Sequence, residues 1–198
     1  NGAGTSYAGS RITAIGYKAT ANFDDSLAIG SEAFAGANSI TIGNKANSYS
    51  GPNSTVVGNS ANSFGPNGIA IGTSASVGNT GISIGNNASN HSYGAAIGNG
   101  ATAAAGGFAL GISAKADNVN AIAFGTSANA KSNDSIAFGS KSTASNTSDV
   151  AIGAGANASS SAGGKGALAI GFNTVATGIF DSTALGGNSS ATARSATG

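Results

Sequence analysis

Glycine recurs along this chain at a nearly fixed interval, and that interval limits the available folds more than any other feature. The anchoring residues are Gly16, Gly30, Gly43, Gly58, Gly72, Gly85, Gly98, Gly111, Gly125, Gly139, Gly153, Gly171 and Gly186, with steps of 14, 13, 15, 14, 13, 13, 13, 14, 14, 14, 18 and 15 residues. A period sustained over the whole length is the signature of a solenoid, in which each repeat buries its apolar face only against its neighbours. The expectation is a single elongated domain over residues 1–198 with no internal boundary. Residues 1–10 read as a degenerate first coil or a cap.

Each copy opens with four residues ending in the glycine, as in Leu27-Ala28-Ile29-Gly30, Ile69-Ala70-Ile71-Gly72 and Ile136-Ala137-Phe138-Gly139. Large, often β-branched residues two apart match a strand, and the glycine that follows permits a turn or a close backbone approach. The residue three past the glycine is Ala in ten copies and Ser142, Thr174 or Ser189 in the others, and the residue five past is usually Ala. That pattern reads as a second strand with a small inward column, and Lys18, Glu32, Lys45 and Asn87 as its outward residues. Turn-forming stretches such as Asn22-Phe23-Asp24-Asp25-Ser26 and Gly78-Asn79-Thr80-Gly81 separate the copies. Insertions fall only in these turns, and the longest, Ser159 to Gly166, is expected to project as a loop. Each coil is thus strand, glycine turn, strand, second turn. Successive coils stack in parallel about 4.8 Å apart, and thirteen of them make a rod roughly 60 Å long.

In the first strand the residue between the large flanking side chains is itself small and apolar: Ala14, Ala28, Ala70, Ala96, Ala109, Ala123, Ala137, Ala151, Ala169 and Ala184. A strand apolar on both parities is buried on both faces. The expectation is that the large residues fill the coil and that the alanine column is where identical chains pack around a common axis. Closed symmetry is the usual solution for identical chains. A fourteen-residue coil encloses only a thin layer of side chains against about 1–2 kcal/mol of backbone entropy per residue, so association is the obvious remedy.

Composition removes several function classes. Charged residues make up 8% of the chain and the net charge is +1, which is no footprint for nucleic-acid phosphates or anionic lipid. Regularly placed Ile, Leu, Val and Phe argue against the disorder that low charge and abundant Gly and Ser would otherwise suggest. There is no Cys, so no disulfide framework and no thiolate metal site. No run of 18 apolar residues and no signal-peptide pattern occurs, so the chain reads as an excised or mature soluble piece.

No constellation for catalysis, cofactor or metal binding emerges. His91, the only histidine, is flanked by Asn90 and Ser92 and reads as a solvated turn residue. Asp24-Asp25, the sole adjacent carboxylate pair, reads as a cap or solvated turn rather than a Ca²⁺ ligand pair. No Gly-x-Ser-x-Gly elbow with His and acid partners can be assembled. Gly153-Ala154-Gly155-Ala156 fits a loose dinucleotide pattern but sits inside a repeat with no following helix. The expected catalytic, cofactor-binding and metal sets are therefore empty, the chain is not expected to be an enzyme, and its ligand-binding residues are left unassigned.

Repeats such as Ser26-Leu27-Ala28-Ile29-Gly30, Ser135-Ile136-Ala137-Phe138-Gly139 and Asp149-Val150-Ala151-Ile152-Gly153, with Ala commonly three past the glycine, closely resemble the head domains of trimeric autotransporter adhesins of Gram-negative bacteria, of the YadA type. The match covers about residues 10 to 195. The resemblance implies an all-β, left-handed parallel β-roll of about 13 coils and a homotrimer. It also implies display at the cell surface on a coiled-coil stalk anchored by an outer-membrane β-barrel, and attachment to host extracellular matrix, host cell receptors or other cells, a virulence role. Stalk heptads, neck and anchor are not in this sequence, so the expectation is a head alone, without direct membrane contact.

Two other classes compete. An ice-binding solenoid needs a uniform outward Thr ladder, but four past the glycine only Thr20, Thr102 and Thr143 are Thr, beside Phe34, Lys115 and Val175. A polysaccharide-cleaving β-helix needs clustered carboxylates, and the seven acids are scattered over separate turns.

Overall fold

The structure, a computed structural model, describes residues 10–48, 50–161, 166–179 and 181–192. Its chain contacts group into two units, Asn1–Gly100 and Ala101–Gly198, and each repeats the same coil. In the first unit seven strands, Thr13–Ile15, Leu27–Ile29, Ile40–Ile42, Thr55–Val57, Ile69–Ile71, Ile82–Ile84 and Ala95–Ile97, pair in parallel in chain order. In the second unit six do so: Phe108–Leu110, Ile122–Phe124, Ile136–Phe138, Val150–Ile152, Leu168–Ile170 and Thr183–Leu185. Shorter strands such as Thr20–Ala21, Asn62–Ser63, Lys115–Ala116 and Asn157–Ala158 form the other wall, again pairing in parallel. No helix occurs among the described residues. The chain is an all-β parallel solenoid.

The glycine period has two causes that act together. Gly30 has φ +133°, a conformation that side chains strongly disfavour, and a Cβ there would lie inside the van der Waals envelope of the Gly43 carbonyl one coil on. Glycine is therefore obligatory at this corner, and the stacked carbonyls fix the register. Insertions leave that register untouched. Val150 pairs with Leu168 and Asn157 with Val175 although eighteen residues separate each pair, because the extra residues fall in the sequence between Ala158 and Leu168, outside the paired strands.

Two further corners per coil are left-handed. Two residues past the glycine, Lys18, Glu32, Lys45 and Asn87 have φ between 52° and 57°, and the next residue closes the turn, as Ala33 N donates to Gly30 O at 3.3 Å. This corrects their placement on the second strand: they are turn residues, and the strand proper, two residues long in most coils, begins two positions later. The second left-handed corner falls five before the glycine, at Asp25, Asn38, Asn53, Asn67 and Asp134 among others. Asn and Asp tolerate that conformation better than most residues.

The interior also requires a correction. The central residue of the first strand faces the inside of the coil: Ala28, Ala70, Ala96, Ala137 and Ala151 are fully buried, as are Thr41, Val56 and Ser83 at the same position. They meet the alanines three and five past the glycine, such as Ala33 and Ala35, which are buried as expected. The alanine column of the first strand is thus interior packing, and the large flanking residues point outward. The reason is geometric. A coil this short has room between its walls for methyl groups facing methyl groups, and its largest fully buried apolar side chains are Val56 and Val77. Some polar side chains that enter the interior pair with one another, as Thr41 and Ser48 hydroxyls do at 2.7 Å, and others donate to backbone carbonyls, as Ser83 Oγ does to Ser76 O at 2.6 Å.

Candidate recognition surface

The outward residues of the first sheet form an apolar stripe in each unit. In Asn1–Gly100 it comprises Leu27, Ile29, Ile40, Ile42, Val57, Ile69, Ile71, Ile82, Ile84 and Ile97, with Ile15 56% exposed at its start. In Ala101–Gly198 it includes Phe108, Leu110, Ile122, Phe124, Ile136, Phe138, Val150, Ile152, Leu168, Ile170 and Leu185. Phe138 is 46% exposed, and its ring stacks on that of Phe124 with centroids 4.6 Å apart and planes within 6°. A contiguous apolar face of this kind marks a surface that another molecule covers.

The outward residues of the second sheet are of a different kind. Thr20, Asn62, Ser76, Ser89, Thr102, Lys115, Asn129, Thr143 and Asn157 alternate with buried alanine or small residues and leave a largely polar wall, interrupted by Phe34, Phe64 and Val175. The Thr positions are too few and too widely separated to make a ladder.

The chain matches the family model described as "YadA head domain repeat (2 copies)" over residues 13–33, 50–75, 104–128, 116–142, 130–156, 162–189 and 180–197. It belongs to the YadA head-repeat family. A comparison with curated proteins returned no match. The YadA head repeat is a structural, adhesin-type domain.

The residues singled out from the sequence of this YadA head occupy separate places. His91 is exposed, but it lies in the strand Ser89–Ser92 rather than in a turn. Asp25 sits at a left-handed corner where its carboxylate receives both Nε and Nη2 of Arg11 from the preceding coil, the latter at 2.7 Å. That hydrogen-bonded pair holds the Asp25 carboxyl below its ordinary range and raises Arg11. Asp24 accepts the Ser10 backbone N–H at 2.6 Å. Both aspartates therefore fasten adjacent coils, and no group of three or more His, Asp or Glu able to hold a metal occurs among the described residues. Gly155 is a left-handed corner of an ordinary coil, with φ +69°.

Sequence reasoning missed Asp149, which is fully buried. Its carboxylate accepts the backbone N–H of Asn146 at 2.8 Å and of Ala167 at 2.7 Å, the Ser160 hydroxyl at 2.8 Å and the Ser160 N–H at 3.2 Å. It thereby ties together both ends of the longest insertion. The signal was available: four before the glycine the other copies carry mostly Ser, Gly or Ala, and the one Asp precedes the one eighteen-residue step. The centre of the expected projecting loop, residues 162–165, lies outside the described residues, as do residues 1–9 of the expected cap.

Proposed function

We propose that this chain is the recognition head of a trimeric autotransporter adhesin. Three copies of a left-handed β-roll bury their first-sheet stripes against one another and present the second sheets and turns outward. The head is held outside the outer membrane of a Gram-negative bacterium, where it attaches the cell to host extracellular matrix, host receptors or other cells. The observation that carries this reading is the row of outward Ile, Leu, Val and Phe on one sheet only. Fully burying one such side chain contributes about 1.5–3 kcal/mol; the stripe residues are partly covered within the chain, and the coil interior, filled by alanine, leaves the rest of that gain to be made between chains. Repetition of each outward contact in three chains then raises avidity without a deep pocket.

Sedimentation equilibrium of the purified chain tests the assembly, with a trimer expected; a stable folded monomer at micromolar concentration sinks it. Binding of the immobilised trimer to a panel of matrix proteins and host cells tests the role. Failure to retain any member under conditions where the trimer is intact removes the adhesive assignment while leaving the assembly standing.

A further inference from the structure

A cleft of about 310 Å³ opens on the polar wall of the first unit, lined by Phe64, Ser76, Gly78, Ser89, Asn90 and His91. Its shape follows from register. Ser63 pairs with Val77 and Val77 with Asn90, so the next residues in line, Phe64, Gly78 and His91, fall in one column on three successive coils. Two strand spacings, about 9.6 Å, separate Phe64 from His91, with glycine between them. Gly78 cannot carry a side chain, because a Cβ there would collide with the His91 carbonyl. The gap between the two ring-bearing residues is therefore set by the backbone.

The lining has a definite chemistry. Phe64 is 65% exposed and offers an uncovered aromatic face. Ser76 and Ser89 sit side by side on paired strands, and among the described residues neither hydroxyl has a hydrogen-bond partner. No Asp, Glu, Lys or Arg occurs from Ala46 to Ala114, so no fixed charge of this stretch awaits a counter-ion.

We infer that this cleft holds one ring of a neutral glycan, which names a ligand class for the outward face on the adhesive reading above. A pyranose has an apolar C–H face bounded by hydroxyls. Its C–H face packs on the electron-rich face of Phe64, and its hydroxyls exchange hydrogen bonds with Ser76 and Ser89, each of which both donates and accepts. The volume lies at the small end of ligand pockets, suited to a single ring or a disaccharide rather than a folded epitope. One such contact is weak, and several copies on one assembly multiply it.

Saturation-transfer NMR of the intact 198-residue chain with methyl β-galactoside, methyl α-mannoside and methyl β-N-acetylglucosaminide, each at millimolar concentration, tests the assignment. At least one neutral sugar receives saturation at its ring C–H protons, Phe64→Ala weakens it tenfold or more, Phe64→Tyr restores it, and Lys115→Ala leaves it unchanged. Circular dichroism and the melting midpoint confirm that the variants are folded, and Ser89→Ala, which removes only a hydroxyl, weakens binding two- to fivefold. No transfer to any neutral sugar, transfer indifferent to Phe64, binding restricted to sialyllactose, or binding restricted to a proline-rich peptide each overturns it. If Phe64→Ala abolishes sugar binding but cells and matrix are still held, the glycan site stands apart from adhesion. If sugar binds and neither cells nor matrix are retained, the adhesive reading fails while the site survives.

Discussion

The two walls of a coil share an interior and differ in what they show to the outside. Both contribute alanine to the core, Ala28 from the first strand meeting Ala33 and Ala35 from the turn and second strand. Outside, the first wall carries a continuous row of Ile, Leu, Val and Phe, and the second carries mostly Thr, Asn, Ser and Lys, with Phe34, Phe64 and Val175 the isolated apolar residues. Since the interiors match, the exteriors are where function diverges: one wall is chemically fitted to be covered and the other to stay wet. The difference also shows that size does not assign a face. In this fold the large residues are outside because only small ones fit within.

Two adjacent residues face opposite sides of the first wall. Ala137 is fully buried inside the coil, whereas Phe138 projects from the first wall. Ala137→Lys places an unpaired charge where no partner exists, which costs upwards of about 3–5 kcal/mol. Because solenoid coils are stabilised chiefly by their nearest neighbours, hydrogen exchange should speed up in the strands Ile122–Phe124, Ile136–Phe138 and Val150–Ile152 whatever the state of assembly. Retention of native protection there would mean that Ala137 is not interior.

Phe138→Lys should do the reverse. The coil keeps its far-ultraviolet dichroism, since the side chain is not needed inside, but each chain forfeits burial of the half of Phe138 that is exposed, about 1 kcal/mol, and must bury an ammonium in its place. Sedimentation should then show dissociation at concentrations where the parent is assembled. An unchanged association constant would move the seam to some other surface.

The period, the strands, the parallel register and the confinement of insertions to turns could all be read from the sequence, because each rests on glycine, which the backbone makes irreplaceable at corners such as Gly30. The facing of the first strand could not. Both parities of Leu27-Ala28-Ile29 are apolar, so alternation gives no answer, and the assumption that larger means deeper gave the wrong one. A subtler signal was present in the variance. The central position is always small or compact (Ala, Thr41, Val56, Ser83), whereas the flanks range from Ala95 to Phe124, and uniform size is what a confined interior enforces. The left-handed corners were legible where Asn or Asp occupies them and hidden at Lys18 and Glu32, whose residue types carry no such preference. The cleft beside Phe64 was not legible, since it exists only when residues from three coils stand in one column.

Asn90 is an exception to the shared interior, and it offers a gentler test. It takes the place five past the glycine, where Val77 sits one coil earlier, and among the described residues both its side-chain amide atoms are buried without a partner. Leaving such groups unpaired costs about 1–3 kcal/mol. Asn90→Val, which repeats the neighbouring coil's solution, should therefore raise stability by about 1 kcal/mol in chemical denaturation. A loss of stability would mean that the amide is satisfied and that the interior at this coil is polar by design.

The smallest effect belongs to the wet side. Arg11 and Asp25 join successive coils through an exposed, two-pronged ion pair that lowers the Asp25 pKa. A carboxyl whose folded pKa lies below its unfolded value, about 3.9, binds fewer protons folded than unfolded as pH approaches that value. Its stabilisation is therefore complete above the unfolded pKa and disappears as pH falls through the folded one. The melting midpoint of the parent should exceed that of Asp25→Asn slightly at pH 7, and the gap should close as the solution is acidified below about pH 4. Salt should also narrow the gap at pH 7, because exposed pairs are screened and their median worth is low. Phe138→Lys, one residue on the other wall, should change assembly far more than this charged pair changes melting. A large, salt-insensitive penalty for Asp25→Asn would show that the turn is buried against something, and the division into one covered wall and one wet one would have to be redrawn to include that corner.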